Sequence, residues 1–152
     1  MLAEVLTEDL VKPGLQARTK NDVIVSMLDV LYKTGKVRDR DAALQALMDN
    51  EARMSTGMEH GIAIPHAKTE AVDELLACVA VTRKKIDFES LDRKPARIFI
   101  MTLSPKGSTG PHIRFLAEVS QLLKDEKKRK QVLAARSASD LLSALLEPSK
   151  TE

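Results

Sequence analysis

Tryptophan is absent from the chain, tyrosine occurs once and phenylalanine three times. With aromatics at 3%, the interior has to be packed from Leu, Ile, Val, Met and Ala. A single cysteine, Cys78, excludes an internal disulfide, and its setting in Ala77-Cys78-Val79-Ala80-Val81 predicts a small buried hydrophobe rather than a reactive thiol. No apolar run approaches the ~18 residues that a membrane span needs, and Met1-Leu2-Ala3-Glu4-Val5 lacks the basic and then apolar order of a secretion signal. The expectation is a soluble, cytoplasmic protein without membrane insertion. Neither sign of charge prevails: 24 basic and 22 acidic residues leave +2, which implies no nucleic-acid partner. The one basic run, Lys127-Lys128-Arg129-Lys130, follows Asp125-Glu126 and has no aromatic neighbours on which bases could stack, so it reads as the solvated face of a helix.

What is present is a chain of 152 residues, enough for one domain over 1–152 that buries roughly two-thirds of its unfolded surface. No repeat and no linker divides it. Val11 to Leu15 reads as a short strand or extended entry. Thr19 and Asp22 form a capping-box pattern for a helix over about 20–34, whose apolar face is Val23, Ile24, Met27, Leu28 and Leu31 and whose stop is Gly35. Asp39 or Asp41 caps a second helix, carrying Ala43, Leu44, Leu47 and Met48 and running close to Arg53. Residues 78–82 and 98–103 have the continuous apolar pattern of strands covered on both faces, and Ile86-Asp87-Phe88 is a candidate for a further short strand. After the breaker-rich loop at 104–111, Pro111 suits the first turn of a helix on which Phe115, Leu116, Val119, Leu122 and Leu123 face inward. Helices over about 126–135 and 138–147 complete the chain, the last opened by Ser137 and Asp140 and stopped by Pro148. Strands embedded among helices indicate an α/β chain, α+β in stricter usage, built as three layers with helices on both faces of a sheet.

The stretch from Arg53 to Thr69 concentrates the chemistry. Pro65 fixes its own φ and pushes Ile64 toward extended backbone, so His66 is presented from a stiffened chain. A neutral imidazole is a good nucleophile near pH 7, and a phosphoryl group placed on its nitrogen stays transferable. Such transfer needs alignment of the attacking nitrogen and neutralisation of the equatorial oxygens. Arg53 and Lys68 offer charge, Ser55 and Thr56 offer hydroxyls, and the amides near Gly57 and Gly61 could form an anion-binding nest. His112, in the first turn of its helix, would lie where the dipole favours an anion and a neutral ring. Taken singly, each has a plainer reading as a surface residue or a solvated charge. A metal site built on His60, His66 and His112 lacks any His-x-x-x-His or Cys-x-x-Cys spacing, and Lys106-Gly107-Ser108-Thr109-Gly110 lacks the order of a nucleotide phosphate loop. No metal or other cofactor is therefore expected, and the phosphoryl donor should not be ATP.

The run Ser55-Thr56-Gly57, three residues, then Gly61-Ile62-Ala63-Ile64-Pro65-His66-Ala67 resembles the active-site signature of the fructose/mannitol/nitrogen-type IIA proteins of the bacterial phosphoenolpyruvate-dependent phosphotransferase system. The resemblance extends over nearly the whole chain, because that family also has an arginine just upstream, matched by Arg53, and a second histidine before an apolar helix, matched by His112. One departure is Glu59-His60, where many members carry Gly-Asn. The resemblance implies a mixed sheet of four to five strands between helical layers, with His66 as the phosphorylated residue. It further implies an HPr-like phosphocarrier as donor and a IIB protein or domain as acceptor. In a nitrogen-type protein, regulatory targets would instead be controlled by the phosphorylation state.

Overall fold

The computed structural model describes residues 2–147, so Pro148, expected to stop the last helix, lies outside them. Helix α1 (Leu2–Val5), a 3-10 turn (Glu8–Leu10) and strand β1 (Val11–Lys12) lead into α2 (Lys20–Tyr32) and α3 (Arg40–Arg53). Four strands follow: β2 (Ile62–Ala63), β3 (His66–Lys68), β4 (Leu76–Ile86) and β5 (Ala96–Ser104). Helices α4 (Gly110–Leu123), α5 (Glu126–Ala134) and α6 (Ala138–Leu146) close the described chain. Among the described residues no helix is long and apolar enough to cross a membrane.

The long antiparallel pair β4–β5 is the middle of one mixed sheet of five strands. Strand β1 runs parallel to β4 on one side, and β2 and β3 lie one after the other, both parallel, along the outer side of β5. Side chains alternate across the pleat and so feed two cores. Cys78 and Ala80 of β4, with Phe99, Met101 and Leu103 of β5, meet the apolar faces of α2 and α3. Ala77, Val79 and Val81, with Ile98 and Ile100, meet α1, α4 and α6 on the opposite face. This is the expected α/β arrangement of three layers. Burial pushes the Cys78 thiol far above the usual thiol range, in keeping with an inert packing role.

Helix starts follow the side chains predicted to cap them. Thr19 and Asp22 exchange both hydrogen bonds of a capping box, Asp39 Oδ1 accepts from the amide of Ala42, and Ser137 Oγ accepts from that of Asp140. Gly35, just past α2, has φ +78°, a conformation that favours glycine. The N-terminal helix and 3-10 turn have no counterpart in the sequence reading.

Two expectations are corrected. Ile86-Asp87-Phe88 is not a separate strand: Ile86 closes β4 opposite Ala96, and the fully buried Phe88 ring packs against Phe99 with centroids 5.4 Å apart. The exposed Arg83-Lys84-Lys85 concealed this continuation, since apolarity marks only the part of a strand covered on both faces. The basic run is likewise not wholly solvated. Lys128 is 1% exposed, and its Nζ donates to Ala144 O at 2.8 Å, Glu147 O at 2.9 Å and Gln131 Oε1 at 3.2 Å, tying α5 to the end of α6. The carbonyls at a helix C-terminus lack partners in their own helix and attract a cation. Lys128→Met, which keeps the chain length but removes the donor, is expected to lower stability by about 1–3 kcal/mol, read from the midpoint of urea unfolding.

Candidate active site

At the carboxyl end of β5, residues of α3, β3 and α4 line an open cleft of about 840 Å³. His66, His112, Arg53 and Lys68 all reach it. His66 opens β3 opposite Thr102, and its backbone is held from two sides: the amide of Thr102 donates to Pro65 O at 3.1 Å, and Asn50 Nδ2 donates to His66 O at 2.9 Å. Its ring is fixed as well. Nδ1 lies 2.7 Å from Ile64 O, and because a carbonyl only accepts, Nδ1 carries the proton and Nε2 keeps a free lone pair.

His112 is buried in the first turn of α4, with its ring centroid 5.5 Å from that of His66 and the two planes tilted by 43°. Burial, then the nearby His66 and Lys68, lower its pKa, so the ring is held neutral. Lys68 Nζ donates to Thr109 Oγ1 at 3.1 Å, joining β3 to the start of α4. That bond occupies Thr109, whose side chain makes no capping bond to the helix. Arg53, the last residue of α3, is exposed at the cleft, its guanidinium without a hydrogen bond or ion pair among the described residues. The cleft thus combines an oriented imidazole nitrogen, a neutral second imidazole and the cations of Arg53 and Lys68.

Ser55, Thr56 and Gly57 lie elsewhere. Ser55 Oγ donates to Phe88 O at 2.6 Å and accepts from the Gly57 amide at 3.1 Å. Thr56 gives its hydroxyl and amide to the two oxygens of Glu51, at 2.6 and 2.8 Å. Gly57 pairs with Ala63, and a Cβ there would fall 2.4 Å from Ser90 Oγ and 2.7 Å from Ser90 Cα, so the loop packs where only glycine fits. None of the three lines the cleft. They build the loop that carries the histidine, and their polar groups are already partnered within it. Glu59 and His60 are exposed outside the cleft, and the Glu59 carboxylate lies 3.8 Å from the His60 ring.

Several residues were not legible as site members. Asn50 fixes the His66 carbonyl, Thr102 touches the His112 ring, and Lys106 and Arg38 add further cations to the same cleft. Asn50 sits three residues before Arg53, on the same side of α3, which is the only signal that could have singled it out. Beneath the loop, Glu51 also pairs with Lys20 Nζ at 2.7 Å. Among the described residues no group of three or more His, Cys, Asp or Glu is placed to hold a metal ion.

Residues 4–147 match the family described as phosphoenolpyruvate-dependent sugar phosphotransferase system, EIIA 2. A fructose-specific EIIA component from Haloferax volcanii is 39% identical over 129 residues, which is 85% of this chain and 84% of the relative. A fructose-specific EIIABC component from Bacillus subtilis is 36% identical over 98% of this chain, which spans only 24% of that relative's length. A nitrogen regulatory protein from Bradyrhizobium diazoefficiens is 26% identical over 99% of this chain and 97% of its own. Among solved structures, the nitrogen regulatory protein IIA-Ntr of Neisseria meningitidis superposes with a TM-score of 0.83 at 21% identity, covering 95% of this chain and 98% of its own. IIA mannitol of Escherichia coli superposes with a TM-score of 0.79 at 24% identity, covering 92% and 98%. At those identities the likeness is one of fold.

Proposed function

Because the chain belongs to the EIIA 2 family of the phosphoenolpyruvate-dependent sugar phosphotransferase system, we propose that it is a phosphocarrier. His66 takes a phosphoryl group from an HPr-like phosphocarrier and passes it to a IIB partner. The observation that carries this reading is the hydrogen bond from His66 Nδ1 to Ile64 O, which leaves Nε2 as the nucleophile. The lone pair of Nε2 forms the new N–P bond while the N–P bond of the donor phosphohistidine breaks and its electron pair returns to the donor ring. Nδ1 keeps its proton throughout, so the exchange needs no acid or base. In the second transfer Nε2 is the leaving group.

The same reading gives roles to the other cleft residues. Arg53 has an unengaged guanidinium suited to two phosphoryl oxygens at once, and Lys68 adds charge at the start of α4. His112, neutral and lining the same cleft with its ring centroid 5.5 Å from that of His66, supplies a hydrogen bond to the phosphoryl group rather than a competing nucleophile. Ser55, Thr56 and Gly57 act by shaping the loop. No cofactor takes part, and the function is contained in one domain over residues 1–152. The IIB partner has support in the solved complex of enzyme IIAMTL with phosphorylated IIBMTL of Escherichia coli, which superposes with a TM-score of 0.79 at 23% identity.

Incubation with phosphoenolpyruvate, enzyme I and HPr is expected to place an acid-labile phosphoryl group on Nε2 of His66, and addition of a fructose-type IIB protein to remove it. A chain that stays unlabelled under these conditions would refute the proposal. A second reading is supported by the nitrogen regulatory relative, which aligns almost end to end. In that case the phosphorylated and free forms bind different target proteins. Label that reaches His66 yet never leaves for any IIB protein, with a target captured by one form only, would favour regulation over sugar transport.

A further inference from the structure

Thr102 is 1% exposed, at the strand position opposite His66, and it touches both histidine-bearing segments. Its amide holds Pro65 O, and its hydroxyl lies 2.9 Å from His112 Nε2. The side chain falls on the α4 side of the sheet, in step with Ile98 and Ile100. Its hydroxyl has no other partner among the described residues.

That isolation decides how the two groups pair. If His112 carried its proton on Nε2, the ring would donate to Thr102 Oγ1 and the hydroxyl proton would be left in a buried site with no acceptor. If the ring proton is on Nδ1, the hydroxyl donates to Nε2 and both groups are satisfied. A buried donor left without a partner costs about 1–3 kcal/mol, which corresponds to roughly a 5- to 150-fold bias toward the second arrangement. Burial also keeps the ring from holding both protons, because the charged form is disfavoured there. Nδ1 of His112 has no partner among the described residues and is not sealed from solvent, in a ring that lines the cleft.

We propose that Thr102 is a positioning residue that selects the Nδ1–H tautomer of His112, and so makes that ring a hydrogen-bond donor to the phosphoryl group on His66. The inference rests on the phosphocarrier reading for its consequence, but not for the tautomer itself. The other tautomer would turn a lone pair toward the phosphoryl oxygens and repel them. Thr102 thereby sets the sign of the contact that His112 makes.

The test has two arms. In the unphosphorylated wild-type protein, long-range ¹H–¹⁵N spectra are expected to show His112 protonated at Nδ1. Finding the proton on Nε2 overturns the proposal, whatever the protein's activity. In the second arm, Thr102→Val removes the hydroxyl at nearly constant volume, and Thr102→Ser keeps it. The valine variant is expected to show a mixed His112 tautomer and roughly a tenfold slower uptake of the phosphoryl group from phospho-HPr, matching about 1.4 kcal/mol. The serine variant should restore both. Wild-type rate or an unchanged tautomer in a folded valine variant overturns the proposal. Should the valine variant not fold, the wild-type spectrum and the serine variant still decide it, since a serine variant without the Nδ1–H tautomer contradicts it. Failure of wild-type protein to take any label would refute the phosphocarrier reading and this catalytic consequence, and is distinguished by a spectrum that still shows Nδ1–H.

Discussion

His66→Ala is expected to abolish phosphoryl uptake from phospho-HPr, a fall on the order of 10⁴ or more to background, while leaving the fold intact. The large effect follows from the chemistry: no other nucleophile in the cleft has a free, oriented lone pair. His112 is near enough to be the obvious substitute, yet its Nε2 is engaged by Thr102 and its ring is buried. Lys68 donates to Thr109, and an ammonium has no lone pair to offer. Ring removal costs little stability because the side chain is only half-buried and Ile64 O, freed of its partner, is near the cleft; a change within about 1 kcal/mol is expected. Tryptic mapping of the labelled protein under alkaline conditions checks the prediction. Label persisting in His66→Ala, whether on His112 or elsewhere, would show that the nucleophile has been misassigned.

Glu51→Ala should have the largest effect on stability. This carboxylate is buried beneath the loop and receives the Thr56 amide, the Thr56 hydroxyl and the Lys20 ammonium, at 2.8, 2.6 and 2.7 Å. Truncation strands both Thr56 donors and takes from Lys20 its short ion pair, leaving that largely buried cation only Glu89 and Phe88 O, each at 3.5 Å. Removing one partner of a buried charged pair costs about 3–5 kcal/mol, and in a chain of this size each kcal/mol lowers Tm by roughly 2–4 °C. A fall of about 10 °C or more is therefore expected by calorimetry, with slowed phosphoryl uptake because the loop that carries His66 loses its anchor. Glu51→Gln keeps an acceptor for Thr56 and should lose only part of that. If Glu51→Ala melts within 2 °C of wild type, the carboxylate is not the anchor described here.

How much of this could be read in advance depended on the range of the interaction. The capping pair Thr19–Asp22, the inward faces of α2 and α4 and the two-sided strands β4 and β5 are encoded within a few residues, and they appear in the sequence as periodicity and cap chemistry. The conjunction of His66 with His112, 46 positions apart, was legible from the place of His112 in the first turn of a helix and was strengthened by the family resemblance. Thr102 was invisible, and Asn50 was marked only by its spacing from Arg53, because their roles depend on strand register and helix placement. Ser55 and Thr56 were read as donors to a phosphoryl group because a hydroxyl in a loop advertises hydrogen bonding but not its direction. Here Phe88 O and Glu51, both distant in chain or hidden in a helix, are the recipients. Lys128 was misjudged for the same reason: a cation in a basic run gives no sign that a neighbouring helix end will bury it.

The outer margin of the sheet has one more consequence. Strands β2 and β3 together form an edge, and an edge ordinarily offers free amides and carbonyls onto which a foreign strand can zip. Here the margin is interrupted at Ile64-Pro65, where proline has no amide to give, and the outward carbonyl of His66 is already taken by Asn50. A visiting strand therefore finds no continuous backbone ladder to join beside the histidine. On the phosphocarrier reading proposed above, contact beside the histidine would then rest mainly on side chains, a mode of contact that can be released as readily as it is made.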